Sequence, residues 1–465
     1  MARTTPAIRS PLWWVERLEK ELYHRQSQLQ KMTRYYEGDH PLPFVTKAHD
    51  SKLRDEFRVL LEDSRSNFMR LVVDAVEERL RVEGFRLSAK ADALADERSW
   101  EIWQANQMDA ESQTAILEAL VQGVSYLSVW AGDPHPTIAV EDARQTIVAY
   151  TPGTNFRRRD AALKVWDDVS ARRANLYLPA AIHKFEGVEK KTSDGTTIEW
   201  KELDRELVAN PLGIVPIVPL RNRPRLLKEG ESELADVYRI QNQINGMLFL
   251  LALAGYFGAH KQRWAVGLKI HEDQHGRPIE PFDVAIERLW VAENPTVTFG
   301  EFQQTDLDGY IKAIEQKVLH IAVTTRTPRH YLIQEGQSPS GDAIKSAESG
   351  LVKKVERKQR PFGEGFEETI RLARLFAGDK DTPVDSEMVW ADPATPSEAE
   401  TTDAVIKQFA GGLIPWEAAV AKLGYSQTEI QRFAAMRQTD ALLRALSAPP
   451  VVEPAPVPEN GVPVA

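Results

Sequence analysis

TRTPRHYLIQEGQSPSGDAIKSAESGLVKKVERKQRPFGEGFEE, residues 325–368, decides the reading of this chain. It opens on the end of an amphipathic helix, passes through small and polar residues, and resumes as a long charged helix. Pro328 stops the first helix, because proline lacks an amide hydrogen and its ring crowds the preceding turn. Gly336, Pro339 and Gly341, with Ser338 and Ser340, predict a flexible loop. Ile344, Ala347, Leu351 and Val355 then restore the helical period up to Pro361, where a break and a further helix over 362–376 are expected. The stretch reads as structural machinery, and not as an active site.

Working upstream, a helix is expected to start at Thr305 or Asp306, both suitable caps, with Leu307, Ile311, Ile314, Val318 and Ile321 on one stripe. Residues 262–302 return to strands and turns, the expected strands being 263–270, 288–292 and 297–302. Before them a helix is expected over 233–257, and the segment Glu231, Ser232 and Glu233 puts acid at its N-terminus, which the helix dipole favours. It ends in Ala252, Ala254, Gly255, Gly258 and Ala259, small residues that let a partner helix or a neighbouring subunit approach. The result is a β insertion between two helices. The segment 210–226, NPLGIVPIVPLRNRPRL, has four prolines that deny ladder hydrogen bonds, so an extended run across a surface is expected.

The N-terminal half reads as an α+β domain. Trp14, Leu18, Leu22, Leu29, Met32 and Tyr36 predict a helix over 11–36, and Phe68, Leu71, Val72, Ala75, Val76 and Leu80 a second over 62–83 with Gly84 as its left-handed cap. Helices over 94–106 and 110–123 follow, then short strands at 125–130, 137–141, 146–150, 162–168, 175–178 and 181–185, with Asp194-Gly195 as a hairpin turn. After a turn-rich linker at 392–397, three short helices are expected at 398–409, 415–423 and 426–446. The last stretch, APPVVEPAPVPENGVPVA, is too rich in proline and small residues to pack.

Composition narrows the function classes. At 465 residues the chain holds roughly three domains' worth of mass. Cysteine is absent, which excludes disulfides, thiolate nucleophiles and Cys-based zinc sites, and fits a reducing compartment. Charges interrupt the first twenty residues before an apolar core of signal-peptide length forms, which argues against export. The longest apolar run, 247–257, is far short of the ~20 residues that cross a bilayer. With 58 basic and 68 acidic residues the net charge is −10, so contact with nucleic acid must be local or weak.

Recognisable cradles for nucleotides, GxxxxGK[ST] or GxGxxG, are absent. His260, His271 and His275 cluster with Glu272 and Asp273, but Gly276 and Pro278 favour an exposed turn over a metal site, and no metal or other cofactor is expected. Asp306 and Asp308 could pass for paired catalytic carboxylates, yet their place at a helix start makes capping the simpler role. The clusters Arg157, Arg158, Arg159 and Arg221, Arg223, Arg225 could touch phosphates. A solvated edge or an ion pair between subunits is favoured for both. Lys345, Lys353, Lys354, Arg357, Lys358 and Arg360 share the helix after the loop with Glu348 and Glu356, a mixture usual for a wet helix face. Lining a channel, that mixture would let DNA slide where a purely basic wall would trap it.

YYEGDHPLPF (35–44), WEIWQANQMD (100–109), NPLGIVPIVPLRNRPRL (210–226) with GESEL (230–234), TRTPRHYL (325–332) and PSGDAIKSAESGLVKKVERKQRPFGEGFEE (339–368) together resemble portal proteins of tailed bacteriophages, in particular those infecting actinobacteria. The similarity runs from about residue 12 to 445, and DPATPSEAETTDAVIKQFAGGLIPWEAAVAKLGYS, from Asp392, is similar to that family's crown. The resemblance implies an α+β portal fold and a non-enzymatic homo-oligomeric ring, a dodecamer in the virion, at one capsid vertex. Double-stranded DNA would pass through it during packaging and ejection. Terminase, major capsid and scaffolding proteins and a head-to-tail adaptor are the implied partners, with no membrane, and assembly is expected in the host cytoplasm.

Carried onto this chain, the resemblance implies a wing at 1–230, a first stem helix at 231–260, a clip at 261–303, a second stem helix at 304–328 and a tunnel loop at 329–341. The long helix and return to the wing take 342–391, the crown 392–447, and a disordered tail 448–465. Gln334, Gly336, Gln337, Ser338, Pro339, Ser340 and Gly341 would face DNA, with Lys345, Lys353 and Lys354 lining the channel. Leu307, Ile311, Ile314, Val318 and Ile321 would pack subunits together. The alternative from another class is a nucleic-acid-processing enzyme, such as a terminase-associated nuclease, which would need clustered carboxylates for a divalent metal.

Overall fold

The computed structural model describes residues 6–41, 55–87, 95–154, 156–169, 171–192, 195–203, 207–259, 263–267, 296–301, 306–333, 341–379, 386–394, 398–425, 429–437 and 439. The chain divides after Pro393 into two units. In the first, α1 (Pro11–Glu37) begins at Ser10, whose Oγ accepts from the Trp13 amide, and ends at Gly38 in the left-handed conformation at φ +87°. Its apolar stripe serves three cores: Trp14, Val15, Leu18 and Leu22 bury against a large antiparallel sheet, Leu29 buries with Tyr126, Val148 and Ile217, and Met32 and Tyr35 enter the helical core. Tyr36 lies at the edge of the stripe, its hydroxyl donating to Asp74 at 2.9 Å.

The single helix expected over 62–83 is two helices and a strand: α2 (Asp55–Asp63), α3 (Phe68–Glu77) and β1 (Val82–Arg86). Asn67 makes the difference. Its Oδ1 accepts from the amides of Met69 and Arg70, so a new helix starts there despite continuous apolar spacing. Gly84 therefore sits at a register shift in β1, opposite Val389, and is no helix cap. α4 (Glu97–Ala105) and α5 (Met108–Gln122) follow, capped by Asp96 and closed by Gly123 respectively.

β2 (Val124–Trp130) and β3 (Thr137–Glu141) pair antiparallel, and β4 (Thr146–Tyr150), β5 (Arg159–Asp167), β6 (Arg172–Tyr177), β7 (Ala181–Thr192) and β8 (Gly195–Glu202) form the large sheet in that order, with β9 (Val208–Ala209) also on β7. β7 and β8 form a hairpin as expected, but Thr192 pairs with Gly195, so Gly195 is the first residue of β8 and the turn lies one residue earlier than Asp194-Gly195. The proline-rich segment corrects its expectation, because Ile217–Arg221 is a buried strand, β10, paired with β2. The prolines confine it to the edge of the order β10-β2-β3, the position in a sheet that tolerates them.

α6 (Tyr238–Ala259) starts later than expected. β11 (Arg263–Val266) and β12 (Thr298–Glu301) pair antiparallel, closing an insertion whose other residues, including the strand expected at 288–292 and the three histidines, lie outside the described residues. α7 (Asp308–Thr325) returns alongside α6; its N-cap position falls on Leu307, which makes no side-chain cap bond, and not on Thr305 or Asp306, although Asp306 Oδ1 accepts from the Asp308 amide. α8 (Arg329–Leu332) is a single turn after Pro328. α9 (Gly341–Phe376) then runs for 36 residues straight through Pro361, where a break was expected. Pro361 still forfeits one helical hydrogen bond. Leu351 and Val355 before it, and Phe362, Phe366, Ile370 and Ala373 after it, bury into the same core, and that shared burial outweighs the loss. Gly365 brings α9 close to β10, since a Cβ there would lie 2.4 Å from Leu220 Cδ2. β13 (Glu387–Trp390) pairs with β1 to finish the unit.

The second unit contains α10 (Glu398–Ala410) and α11 (Trp416–Lys422), and 429–437 are helical. Gly412 at φ +67° turns the chain between α10 and α11. The tail 448–465 lies outside the described residues.

Candidate channel-facing segment

Gln334, Gly336, Gln337, Ser338, Pro339 and Ser340 lie outside the described residues, and Gly341 is the first residue of α9. Both flanks of this segment are described, and each is held by buried charge. On one flank Arg326, at φ +58°, ends α7, and Pro328 starts α8. Tyr331, on α8, donates its hydroxyl hydrogen to Glu348 Oε1 at 3.0 Å and accepts from Arg79 Nη2 at 2.7 Å. Arg79 also lies 3.6 Å from Glu348, and His330 Nε2 3.7 Å from it. Burial raises the Tyr331 hydroxyl pKa, so it remains a donor.

The other flank is set deeper. Lys354 and Lys358, one turn apart on α9, both reach Glu233, Lys354 at 2.7 Å and Lys358 in a shorter contact. Asn222 completes the cluster: its Nδ2 donates to the Glu231 carbonyl at 2.7 Å and to Glu233 Oε1 at 3.1 Å, and its Oδ1 accepts from Lys358. Lys354 also donates to the Thr325 carbonyl at 2.8 Å, placing a cation at the negative end of α7. One lysine thereby links α7, α9 and the approach to α6.

Backbone geometry delivers Glu233 to this point. Gly123 O accepts from the Asn222 amide at 2.9 Å, and the Glu233 amide donates to Leu120 O at 2.9 Å. A Cβ on Gly230 would lie 1.9 Å from Gly123 O, so only glycine allows the two strands of chain to approach this closely.

Glu233 is 4% exposed and Lys358 5%, so neither charge has water to fall back on. Burial alone would raise the Glu233 carboxyl, but Lys354 and Lys358 outweigh it and hold it well below the usual carboxylate range. For Lys358 burial dominates: desolvation, aided by the Lys354 charge, pushes its amine from 10.5 down to about 8 against the pull of Glu233.

These contacts correct the expectation of a wet helix face. Lys354 is removed from the channel-lining set because its amine is turned into the fold, whereas Lys345 and Lys353 sit at exposed positions of α9. Glu233 and Asn222 had not been singled out as partners at all. The signal was present in the 3-4 spacing of Glu348, Leu351, Val355, Lys358 and Phe362, all buried, which places two charged residues in a core seam where they require partners.

The arginine clusters are largely committed within the chain. Arg159 pairs with Glu368 at 2.7 Å and bonds the Val215 carbonyl, Arg221 donates to the Phe156 carbonyl, and Arg223 pairs with Asp236 at 2.9 Å. On α7, Val318 and Ile321 are buried in this chain's own core, Ile314 packs at its edge, Leu307 is half-buried at the cap position, and Ile311 is 44% exposed. Among the described residues no group of three or more His, Asp or Glu is placed to hold a metal, and no helix is long and apolar enough to cross a membrane.

Two kinds of similarity meet this geometry. The family model described as phage portal protein, SPP1 Gp6-like, matches residues 16–441. The portal protein of Mycobacterium phage L5 is 34% identical over 387 residues, and that of Mycobacterium phage D29 is 33% identical over 389. Each of these alignments covers 78% of this chain and 76% of the relative. A match over nearly the whole length, spanning the helices, the proline-rich strand and the buried cluster alike, means that the chain belongs to the SPP1 Gp6-like family of phage portal proteins.

Proposed function

We propose that copies of this chain close into a dodecameric ring at one capsid vertex, and that residues 334–341 project toward its axis, where the viral genome passes during packaging and ejection. Family membership carries the portal role in phage DNA packaging and the ring at the capsid. What supports the placement of the segment is its anchorage, since both flanks are tied by buried ion pairs while the segment itself is rich in neutral polar and small residues. Gln334, Gln337, Ser338 and Ser340 can brush a moving duplex without displacing its counterions, so contact stays weak enough for transit. Lys345 and Lys353 are the remaining candidates for the wall.

In this reading 1–230 and 342–391 form the wing, α6 and α7 the paired stem helices, 261–303 the clip and 392–447 the crown. A closed ring is a head-to-tail assembly, so each subunit needs two different complementary faces. Terminase, capsid and scaffolding proteins and a head-to-tail adaptor dock on the assembled ring in the host cytoplasm, before it becomes part of the virion. Electron microscopy of the purified protein tests the reading: closed rings with 334–341 on the inner wall support it, and the segment on the outer rim overturns it. The rival reading as a nuclease draws no support from the family assignment, and metal-dependent cleavage of DNA by the pure protein would favour it.

A further inference from the structure

The turn at Arg225–Lys228 was absorbed by none of the roles above. Arg225 and Lys228 exchange both backbone hydrogen bonds, each at 3.1 Å, so Leu226 and Leu227 form the two-residue tip of a tight hairpin. Such tips ordinarily carry glycine, asparagine or aspartate, which suit the backbone and the water around them. Here two leucines stand almost bare, at 74% and 93% exposure. The base of the turn is fixed on both sides. Arg223 lies 2.9 Å from Asp236 and 3.9 Å from Glu231, Lys228 lies 2.9 Å from Glu231, and the adjoining Asn222 belongs to the buried Glu233 cluster. The leucines thus project from a turn whose base is tied to the chain by ion pairs and backbone hydrogen bonds.

We propose that this turn is a knob that inserts into the neighbouring copy of the chain, an inference that rests on the ring reading above. A head-to-tail ring gives every subunit one donor and one acceptor face, so a projection carried once on each chain meets one receiving face on each neighbour. Charge points to the same occupant. Arg225, on one flank of the knob, has no ion-pair partner among the described residues, and an uncommitted cation there suits a second copy of a chain whose net charge is −10. Bare leucines at a fixed position also need a cover that is always present, and within a homo-oligomer the next subunit is that cover.

The absence of cysteine makes the test direct, because Leu227→Cys creates a single thiol in the full-length chain. Rings of this variant are loaded with a thiol-reactive benzophenone and irradiated. Covalent pairs of subunits, with adducts mapped by mass spectrometry to one region of the neighbour, are expected; adducts confined to the same chain, or none, overturn the proposal. In parallel, Leu226→Asp/Leu227→Asp should keep the melting temperature of the unassembled chain and lower the assembled fraction at least about tenfold at equal concentration. Normal rings from this double variant overturn the knob, including the case in which rings form but fail to enter capsids, which would assign the leucines to a capsid component. Wild-type protein that forms no rings at all would instead remove the portal-ring reading on which the proposal stands.

Discussion

Tyr331 and Glu348 lie on either side of the proposed channel-facing segment, and the hydroxyl of the first donates to the carboxylate of the second at 3.0 Å. They are seventeen positions apart in the chain, so this one bond closes the base of everything between. Arg79, in the turn that follows α3, lies against both partners and ties the closure to the helical core.

Replacing Tyr331 with Phe should remove that closure while keeping the ring packed. A net hydrogen bond is worth about 1 kcal/mol, so amides in the first turns of α9 should exchange about fivefold faster with little change in global melting. Hydrogen exchange followed by mass spectrometry reads this out, and unchanged protection over 341–348 would show that the bond holds nothing in place.

Glu233 is the more consequential partner in its cluster. Glu233→Gln leaves two ammonium groups buried without a counter-charge and should destabilise the chain by ~3–5 kcal/mol. Lys358→Met should be milder, because Glu233 keeps Lys354 and Asn222 and an apolar side chain suits the seam. Denaturant melts that ranked the two variants the other way would contradict this account of the cluster.

The same cluster predicts a pH signature at both ends of the scale. Lys358 releases its proton near 8 when folded and near 10.5 when unfolded, so between those values the unfolded chain binds more protons and this site's contribution to stability rises with pH. Glu233 stays ionised further into acid when folded, so its contribution is present above the ordinary carboxylate value of 4.5 and is lost as pH falls below it. The melting temperature of wild type relative to Lys358→Met should therefore climb from pH 7.5 to pH 10, and Glu233→Gln should flatten the acid limb. A gap between wild type and Lys358→Met that ignores alkaline pH would refute the assignment.

Two positions on one helix separate folding from assembly. Val318 is 3% exposed, so Val318→Asp buries an unpaired carboxylate and should cost about 3 kcal/mol or more of fold stability. Ile311 is 44% exposed, so Ile311→Asp should leave the monomer's melt unchanged and, if a neighbour packs on this face, lower ring formation. Light scattering beside calorimetry checks both, and full-strength rings from Ile311→Asp would exclude that face from subunit contact.

The elements of the fold were legible wherever apolar period and punctuation agreed, as in α1 with Ser10, Pro11 and Gly38, or the strands over 124–150. They were misread where a local rule and a distant contact disagreed. Asn67 divided a continuous apolar pattern by capping it, and Pro361 failed to divide a helix because partners far away in sequence bury both of its sides. Glycines, prolines and serines mark out the candidate segment in the sequence. Its anchorage was not legible there, because a charged residue looks solvated in sequence until its partner is known, and Glu233 is more than a hundred residues from Lys358.

The uninterrupted course of α9 has a mechanical side. At 1.5 Å per residue its 36 residues make a strut about 54 Å long. Glu348, Lys354 and Lys358 rivet it to the fold before Pro361, and Glu368 and Arg374, paired with Arg159 and Asp96, do so after. A push on its first turn therefore has no slack joint in which to dissipate, and must tilt the whole strut or load the rivets along it, so that the far end at Arg374 feels what happens at Gly341.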